Sequence, residues 1–374
     1  MTLPIIHFVD LDAQRARISE RIDAAIARVL AHGQYIMGPE VAQFEQAFAE
    51  FCGVAHVVST SNGTDALVLP LMAWSIGPGD AVFVPAFTFA ATAEAAALVG
   101  ATPVLVDVNQ DSFNMDPASL EAAIAHAESL GLAPRAVIPA DLFGLPAGYG
   151  EIAAICQRHG LRLLADAAQS AGASRDGKRS GALAPVTATS FFPAKPLGCY
   201  GDGGAVMTDD GDMAEILRSL RFHGRGEEKY DNVRIGMNAR LDTIQAAVLI
   251  EKLAILEDEI AARGRIAAMY GRLLGDAVET PKRGPSEVSA FAQYTIRSRN
   301  REAIRQTCAA RRIPTMIYYP RALTQQTAYR AYPAAPGGAP VAEELAATVL
   351  SLPMHPYLEE NQVAAVAAAI RESA

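Results

Sequence analysis

The chain has 374 residues, enough at about 150 residues per domain for two or three domains, or for one large domain with an appendage. Hydrophobic residues make up 51% and charged residues 20%, the balance of a folded globular chain rather than a disordered one. A net charge of −9 argues against general attraction to nucleic acid or to an anionic membrane, while leaving room for a local basic pocket.

The opening, MTLPIIHFVDLDAQRAR, has no basic segment followed by a long apolar run, so no signal peptide is expected. No uncharged apolar stretch approaches the roughly 18 to 20 residues of a membrane span. From about residue 54 to 210, short β-branched runs alternate with longer Ala/Leu-rich stretches. His56–Thr60 reads as a strand and Thr64–Ile76 as a helix ended by the turn sequence GPGD. Ala81–Ala86 and Thr102–Val108 are strands bracketing another helix, and Asp116-Pro117 opens a further one with an N-cap acid and Pro at the first helical position. Ala136–Leu142 and Leu161–Ala167 are two more strands, apolar without alternation, as expected where helices cover both sheet faces. This βαβα repetition predicts an α/β protein with a mostly parallel sheet and right-handed crossovers.

After Asp166 the texture changes. Ser174–Gly181 contains an Asp-Gly step and reads as a hairpin; Thr187–Phe192 and Ala205–Thr208 read as strands around a Gly-rich loop. Residues 240–275 form a long helical stretch. From about 285 the pattern restarts as a strand (AQYTIRS), a helix (REAIRQTCAARR) and a strand (PTMIYYP), which predicts a smaller C-terminal α+β domain. The final Ala-rich residues are helical in pattern.

Three segments carry chemical interest. In SFFPAKPLGCYGDGG, Lys195 lies between Pro193 and Pro196 and ahead of Gly198, Gly201, Gly203 and Gly204. An isolated loop lysine is ordinarily solvated; one held stiffly and desolvated has a depressed pKa and can form a Schiff base. Asp166 ends an apolar strand, where α/β proteins face their ligands, and could pair with a pyridine nitrogen or merely cap the next turn. Ser61-Asn62-Gly63-Thr64-Asp65 joins a strand to a helix and could cradle a phosphate or serve as a simple N-cap. The glycines at 198–204 lack the GxGxxG spacing of a dinucleotide site. Cys52, Cys156, Cys199 and Cys308 form no CxxC pair, so neither a disulfide framework nor a zinc ribbon is indicated, and a reducing, cytoplasmic setting fits.

In this order, with GQYIMGPEVAQFE (33–45), PAFTFAATAEA (85–95), ADAAQSAGA (165–173), GMNARLDTIQAA (236–247) and SLPMHPYL (351–358), the sequence resembles the DegT-type nucleotide-sugar aminotransferases over nearly its whole length. The resemblance implies the aspartate aminotransferase-like fold (pyridoxal-phosphate fold type I). In that fold a large cofactor domain with a mostly parallel seven-stranded sheet would occupy residues 1–250, and a smaller domain residues 251–374. KPLGCYGDGG and the SLPMHPYL segment are most similar to bacterial enzymes that aminate C3 of a UDP-linked 3-keto-N-acetylglucosaminuronate for surface polysaccharide.

The resemblance also implies roles. Lys195 matches the lysine that holds pyridoxal 5′-phosphate and moves the proton, and Asp166 the partner of its ring nitrogen. Gln169 matches the residue near the ring hydroxyl, Phe89 the aromatic on the ring face, and Gly63, Thr64 and Ser190 the phosphate cradle. Asn238 matches a residue reaching the phosphate from a neighbouring subunit, implying a homodimer with shared sites; Arg240 would meet the substrate's anionic part. L-Glutamate would be the amino donor and a nucleotide-linked ketosugar the acceptor, with no nucleic-acid or membrane partner. Where UDP-uronate relatives carry His-Tyr-Pro this chain has Tyr318-Tyr319-Pro320, making Tyr318 and Tyr319 candidate substrate contacts, and Thr324 stands where many relatives carry His. Alternatives are amination of a dTDP-linked 3- or 4-keto-6-deoxysugar, a sugar dehydratase (whose His would replace Lys195), and a cofactor-binding regulator.

Overall fold

The computed structural model describes residues 5–228 and 230–374; residues 1–4, which begin the segment read above for a leader, lie outside the described residues. Three helices come first: α1 (Leu11–Arg17), α2 (Ser19–His32) and α3 (Pro39–Cys52). Alternation follows through β1 (His56–Thr60), α4 (Gly63–Ala73), β2 (Asp80–Pro85), α5 (Ala91–Leu98) and β3 (Thr102–Val106). It continues through α6 (Pro117–Ser129), β4 (Ala133–Val137), α7 (Tyr149–His159) and β5 (Arg162–Asp166). A hairpin of β6 (Ser174–Arg175) and β7 (Lys178–Arg179) precedes β8 (Val186–Ser190), β9 (Gly204–Thr208) and α8 (Gly211–Leu220). The long α9 (Thr243–Leu274) leads to β10 (Glu287–Val288), β11 (Tyr294–Arg297), α10 (Arg301–Ala310), α11 (Pro340–Thr348), β12 (Val349–Leu352) and α12 (Glu360–Ser373). Among the described residues no helix is long and apolar enough to cross a membrane.

Seven strands form the main sheet in the order β1-β9-β8-β5-β4-β2-β3. The pairs β2–β3, β2–β4, β4–β5 and β5–β8 are parallel, and β9 alone runs against its neighbours. That reversal arises because the chain folds back after β8, the Phe191 N–H donating to the Gly203 carbonyl at 2.8 Å. The loop carrying Lys195 is therefore the turn between two antiparallel strands. The unalternated strand sequences have their explanation in β2: Val82 and Val84 join the core with Leu67 and Ala95, whereas Ala81 and Phe83 join the opposite core with Leu120 and Ile152.

Local signals translate directly. Asp116 caps α6 with Oδ1 accepting from the Ala118 N–H at 3.2 Å, and Pro117 opens it. Asp176 and Gly177 both have positive φ, 50° and 78°, the geometry of a two-residue hairpin turn. Two expectations need correction. The fourth strand begins at Ala133 rather than Ala136 and leaves its ladder after Val137, although single bonds continue beyond it. PTMIYYP is not a strand: only Met316 bridges to Ser351, and the partner of β11 is β12. Pro314 and Pro320 lack ladder donors, and Tyr318 and Tyr319 turn into the pocket described next.

Candidate active site

The carboxyl ends of β4, β5 and β8, the N-terminus of α4 and the Tyr318–Tyr319 segment enclose a cavity of about 430 Å³. Its lining includes Gly63, Thr64, Phe89, Asp166, Gln169, Ser190, Lys195, Tyr318 and Tyr319, so nine of the eleven sequence-singled residues meet in one place. Asn238 and Arg240 do not line it. They sit together before α9, Arg240 Nε donating to Asn238 Oδ1 at 3.1 Å while its guanidinium stacks 4.6 Å from the Phe222 ring centroid. Asn238 is exposed. Thr324 also lies outside the cavity lining, its hydroxyl donating to Glu343 at 2.7 Å.

Asp166 is buried, and its position is fixed by donors. Thr92 Oγ1 donates to Oδ2 at 2.7 Å, with Thr88 behind it at 2.9 Å, and the Ala168 N–H donates to Oδ1 at 3.2 Å. Burial pushes the Asp166 carboxyl above its ordinary pKa; the Thr92 bond, the Ala168 N–H and the nearby Lys195 ammonium pull it back. The same burial lowers the Lys195 pKa, against which Asp166 works as the opposing charge. Each group thus stabilises the other's ion in a site that penalises both. The Lys195 N–H closes a turn onto the Phe192 carbonyl at 2.8 Å, and a Cβ on Gly198 would lie 2.4 Å from the Pro193 oxygen. The glycine lets the loop fold tightly under the lysine.

At the other end, Asn62 caps α4 by accepting the Asp65 N–H at 2.8 Å. The capping reading and the cradle reading hold together, since the earlier N–H groups of a first helical turn have no partner within the helix. A Cβ on Gly63 would approach Ser190 Cβ to 2.7 Å, and one on Gly204 would strike the Asn62 carbonyl at 2.4 Å. Both glycines allow the helix tip to sit directly on the ends of β8 and β9. Phe89 is 56% exposed, an apolar ring left open toward the cavity, and its centroid lies 6.1 Å from that of Tyr319. Gln169 accepts the Phe143 N–H at 2.6 Å and donates to the Tyr319 hydroxyl at 3.3 Å. Burial pushes the Tyr319 pKa up, offset in part by that Gln169 bond.

Several lining or supporting residues were not singled out from sequence: Thr92, Asp141, Phe192, Asp202 and Gln293. Asp141 follows an apolar run just as Asp166 does, so it had a readable signal.

The donor set fits pyridoxal phosphate. Gly63, Thr64 and Ser190 would hold the phosphate, Asp166 the protonated ring nitrogen, Gln169 the ring hydroxyl, Phe89 a ring face and Lys195 the aldehyde carbon. The comparisons with known proteins agree. Residues 16–371 match the DegT/DnrJ/EryC1/StrS aminotransferase family. A UDP-2-acetamido-2-deoxy-3-oxo-D-glucuronate aminotransferase from Pseudomonas aeruginosa is 46% identical over 98% of this chain and 99% of its own. A dTDP-3-amino-3,4,6-trideoxy-alpha-D-glucose transaminase from Streptomyces venezuelae is 41% identical over 99% of this chain and 96% of its own. The crystal structure of a DegT DnrJ EryC1 StrS aminotransferase from Brucella abortus superposes with a TM-score of 0.97 at 58% identity, covering 98% of this chain and 99% of that one. With its lysine, acid and helix-tip cradle gathered in one cavity, this chain belongs to the DegT/DnrJ/EryC1/StrS family and is a pyridoxal-phosphate-dependent aminotransferase.

Proposed function

We propose that the enzyme moves an amino group from L-glutamate to the keto carbon, C3, of UDP-2-acetamido-2-deoxy-3-keto-glucuronate, in the cytoplasm, for surface polysaccharide. The observation that carries the reaction type is the Lys195–Asp166 pair, each perturbing the other within one cavity. Support for the acceptor comes from the 46% identity to the Pseudomonas aeruginosa enzyme along almost all of both chains.

When bound, the cofactor supplies an electron-withdrawing ring that stabilises negative charge on the carbon whose proton is moved. The chain supplies the rest. Asp166 keeps a proton on the facing nitrogen, because a carboxylate held by Thr92 and Ala168 has its charge fixed at that spot. Lys195 Nζ, whose burial favours the neutral amine over the ammonium, is the base placed to take the proton from the α-carbon of the donor and to return one to the acceptor carbon. A positioned acid–base group contributes roughly 10²- to 10⁴-fold to such a step. Phe89, Phe192 and Tyr318 put aromatic rings into the lining beside the lysine, which would limit water there once a ligand is bound.

The working unit in this reading is a homodimer with shared sites. Asn238 of a second copy would complete the phosphate cradle, and Arg240 would meet the anionic part of the nucleotide sugar. The pairing of these two side chains with each other, away from their own cavity, is consistent with that use. A second reading, a dTDP-linked 3- or 4-keto-6-deoxysugar as acceptor, draws on Tyr318 in the cavity wall and on the Streptomyces venezuelae relative. Offering UDP- and dTDP-linked ketosugars side by side with L-glutamate tests both. The proposal expects 2-oxoglutarate release to match amino-sugar formation with the UDP-uronate, and faster turnover of the dTDP sugar overturns it in favour of the second reading.

A further inference from the structure

One lining side chain reaches the cavity from beyond α9. Gln293 immediately precedes β11 and is half-buried in the wall. Its backbone is held on several sides. The Ala290 N–H donates to the Gly144 carbonyl at 2.9 Å, Arg263 Nη1 donates to the Phe291 carbonyl at 3.1 Å, and Tyr294 enters the ladder opposite Leu352. A Cβ on Gly144 would lie 2.9 Å from both the Gln169 carbonyl oxygen and the Phe291 nitrogen. Residues 290–292 therefore run directly against the backbone that carries Gln169.

The side chain is in the opposite condition. Among the described residues the Gln293 carboxamide has no hydrogen-bond partner, and its Oε1 is buried. Gln169, on the same side of the cavity, uses both ends of its amide. A buried amide oxygen left without a donor costs stability, and packing alone does not account for it, since a methionine would fill the same wall without that cost. Turning about the terminal torsion, broad and roughly two-fold for a carboxamide, presents either the oxygen or the nitrogen to the cavity.

The surroundings narrow what this amide can meet. The charged side chains of the described lining are Asp141, Asp166 and Asp202 against Lys195. A neutral amide among these acids suits a hydroxyl or an acetamido group better than a carboxylate. In the cofactor assignment Gln169 meets the ring hydroxyl, whose carbon adjoins the one bearing the aldehyde. Gln293 thus stands on the side of the reacting substrate, apart from the phosphate cradle of Gly63 and Ser190.

We propose that Gln293 is a specificity-determining residue for the acceptor, its carboxamide hydrogen-bonding a neutral substituent of the sugar ring near the keto carbon, either a hydroxyl or the 2-acetamido group. This rests on the nucleotide-sugar acceptor proposed above.

The test follows each half-reaction separately in the holoenzyme and in Gln293→Met. With UDP-2-acetamido-2-deoxy-3-keto-glucuronate the acceptor KM should rise about three- to tenfold, the range for one lost neutral hydrogen bond. The half-reaction with L-glutamate and the retention of cofactor should stay as in wild type. The melting temperature of the cofactor-free protein should hold or rise, because the oxygen removed had no partner. The 2-hydroxy counterpart of the same sugar identifies the group: a KM rise confined to the acetamido substrate assigns the bond to the acetamido group, and an equal rise for both assigns it to a ring hydroxyl. Should the first variant fail to fold, Gln293→Asn, which keeps the amide but draws it back by one methylene, carries the same expectation for KM. An unchanged acceptor KM, or an equal loss in both half-reactions, overturns the proposal. Wild type that takes the amino group from L-glutamate but aminates neither UDP sugar instead overturns the acceptor reading, and the proposal with it.

Discussion

Two parts of the chain carry residues assigned to one reaction, and they are built in opposite ways. At the ends of β5 and β8 the key side chains find their partners within the chain: Asp166 has its donors, Lys195 its counter-charge, Gln169 both its bonds. The segment from Phe222 to Arg240 has the reverse character. Val233 and Ile235 are 54% and 87% exposed, Asn238 is exposed, and Arg240 rests on Phe222 rather than on anything in the cavity. A group that must change protonation state requires a fixed, low-dielectric setting, whereas one that only meets a ligand's phosphate can wait at a surface. In the proposed reading the contrast separates proton chemistry held within one chain from a second segment whose contribution would depend on where another copy sits.

Lys195→Ala should give the largest effect on the first region. Turnover should fall by at least the roughly 10²- to 10⁴-fold of a lost acid–base group, and borohydride should trap no adduct. Because the removed amine is desolvated in the folded chain, the melting temperature of the cofactor-free protein should hold or rise, as scanning calorimetry would read. Turnover within tenfold of wild type would break the claim that the cavity performs the proton transfer.

Gly63→Ala comes next. Its Cβ would sit 2.7 Å from Ser190 Cβ, so the tip of α4 must withdraw from β8. Overpacking of this kind costs about 1–3 kcal/mol, and if it falls on the phosphate cradle the cofactor dissociation constant should rise about tenfold or more. Equilibrium dialysis reads this directly. Unchanged affinity would mean that the close approach serves packing alone.

The residues just tested were legible in sequence because their roles demand unusual local chemistry. Lys195 stands between prolines and glycines, and Asp166 ends a strand whose other residues are apolar. The parallel sheet was legible for a related reason, since strands covered on both faces do not alternate. What escaped was set by partners distant in sequence. Thr92 acquires meaning only through Asp166, 74 residues on. The tyrosines at 318 and 319 looked like strand residues because their β propensity is real, but the cavity takes them out of the ladder and leaves β12 to pair with β11. Asn238 and Arg240 were read as site residues by resemblance, and their own chain does not bring them there.

A smaller effect should follow from Thr92→Val, which keeps shape but removes the hydroxyl bonded to Asp166. That bond favours the ionised carboxylate, so its loss should raise the Asp166 pKa further. The sign for stability follows. Asp166 already binds its proton more tightly in the folded than in the unfolded chain, so the cofactor-free protein is favoured below the ordinary carboxylate range and loses that increment as pH rises through the folded value. The variant should lose it over a window extended to higher pH. Carboxyl NMR titration together with melting curves at several pH values would measure both, and an unmoved carboxyl resonance would show that Thr92 is not the group tuning the acid.

The smallest expected effect addresses the second region. Arg240→Ala removes a partly exposed guanidinium that stacks on Phe222 and bonds to Asn238. An exposed cation–π contact contributes about 0.5–1 kcal/mol, so stability should barely move. If Arg240 of a second copy meets the sugar nucleotide, KM for the acceptor should rise several-fold while the half-reaction with L-glutamate and the Lys195 adduct stay as in wild type. Asn238→Ala should behave differently, weakening retention of the cofactor. Because the two side chains share a bond, the double variant should cost less than the two single effects combined. Mixing is the sharper version: inactive Lys195→Ala subunits, combined with subunits weakened at Asn238 and Arg240, should restore sites whose internal and external halves are both intact. Activity that stays at the average of the separate variants would place both halves of each site within one chain and erase the contrast between the two regions.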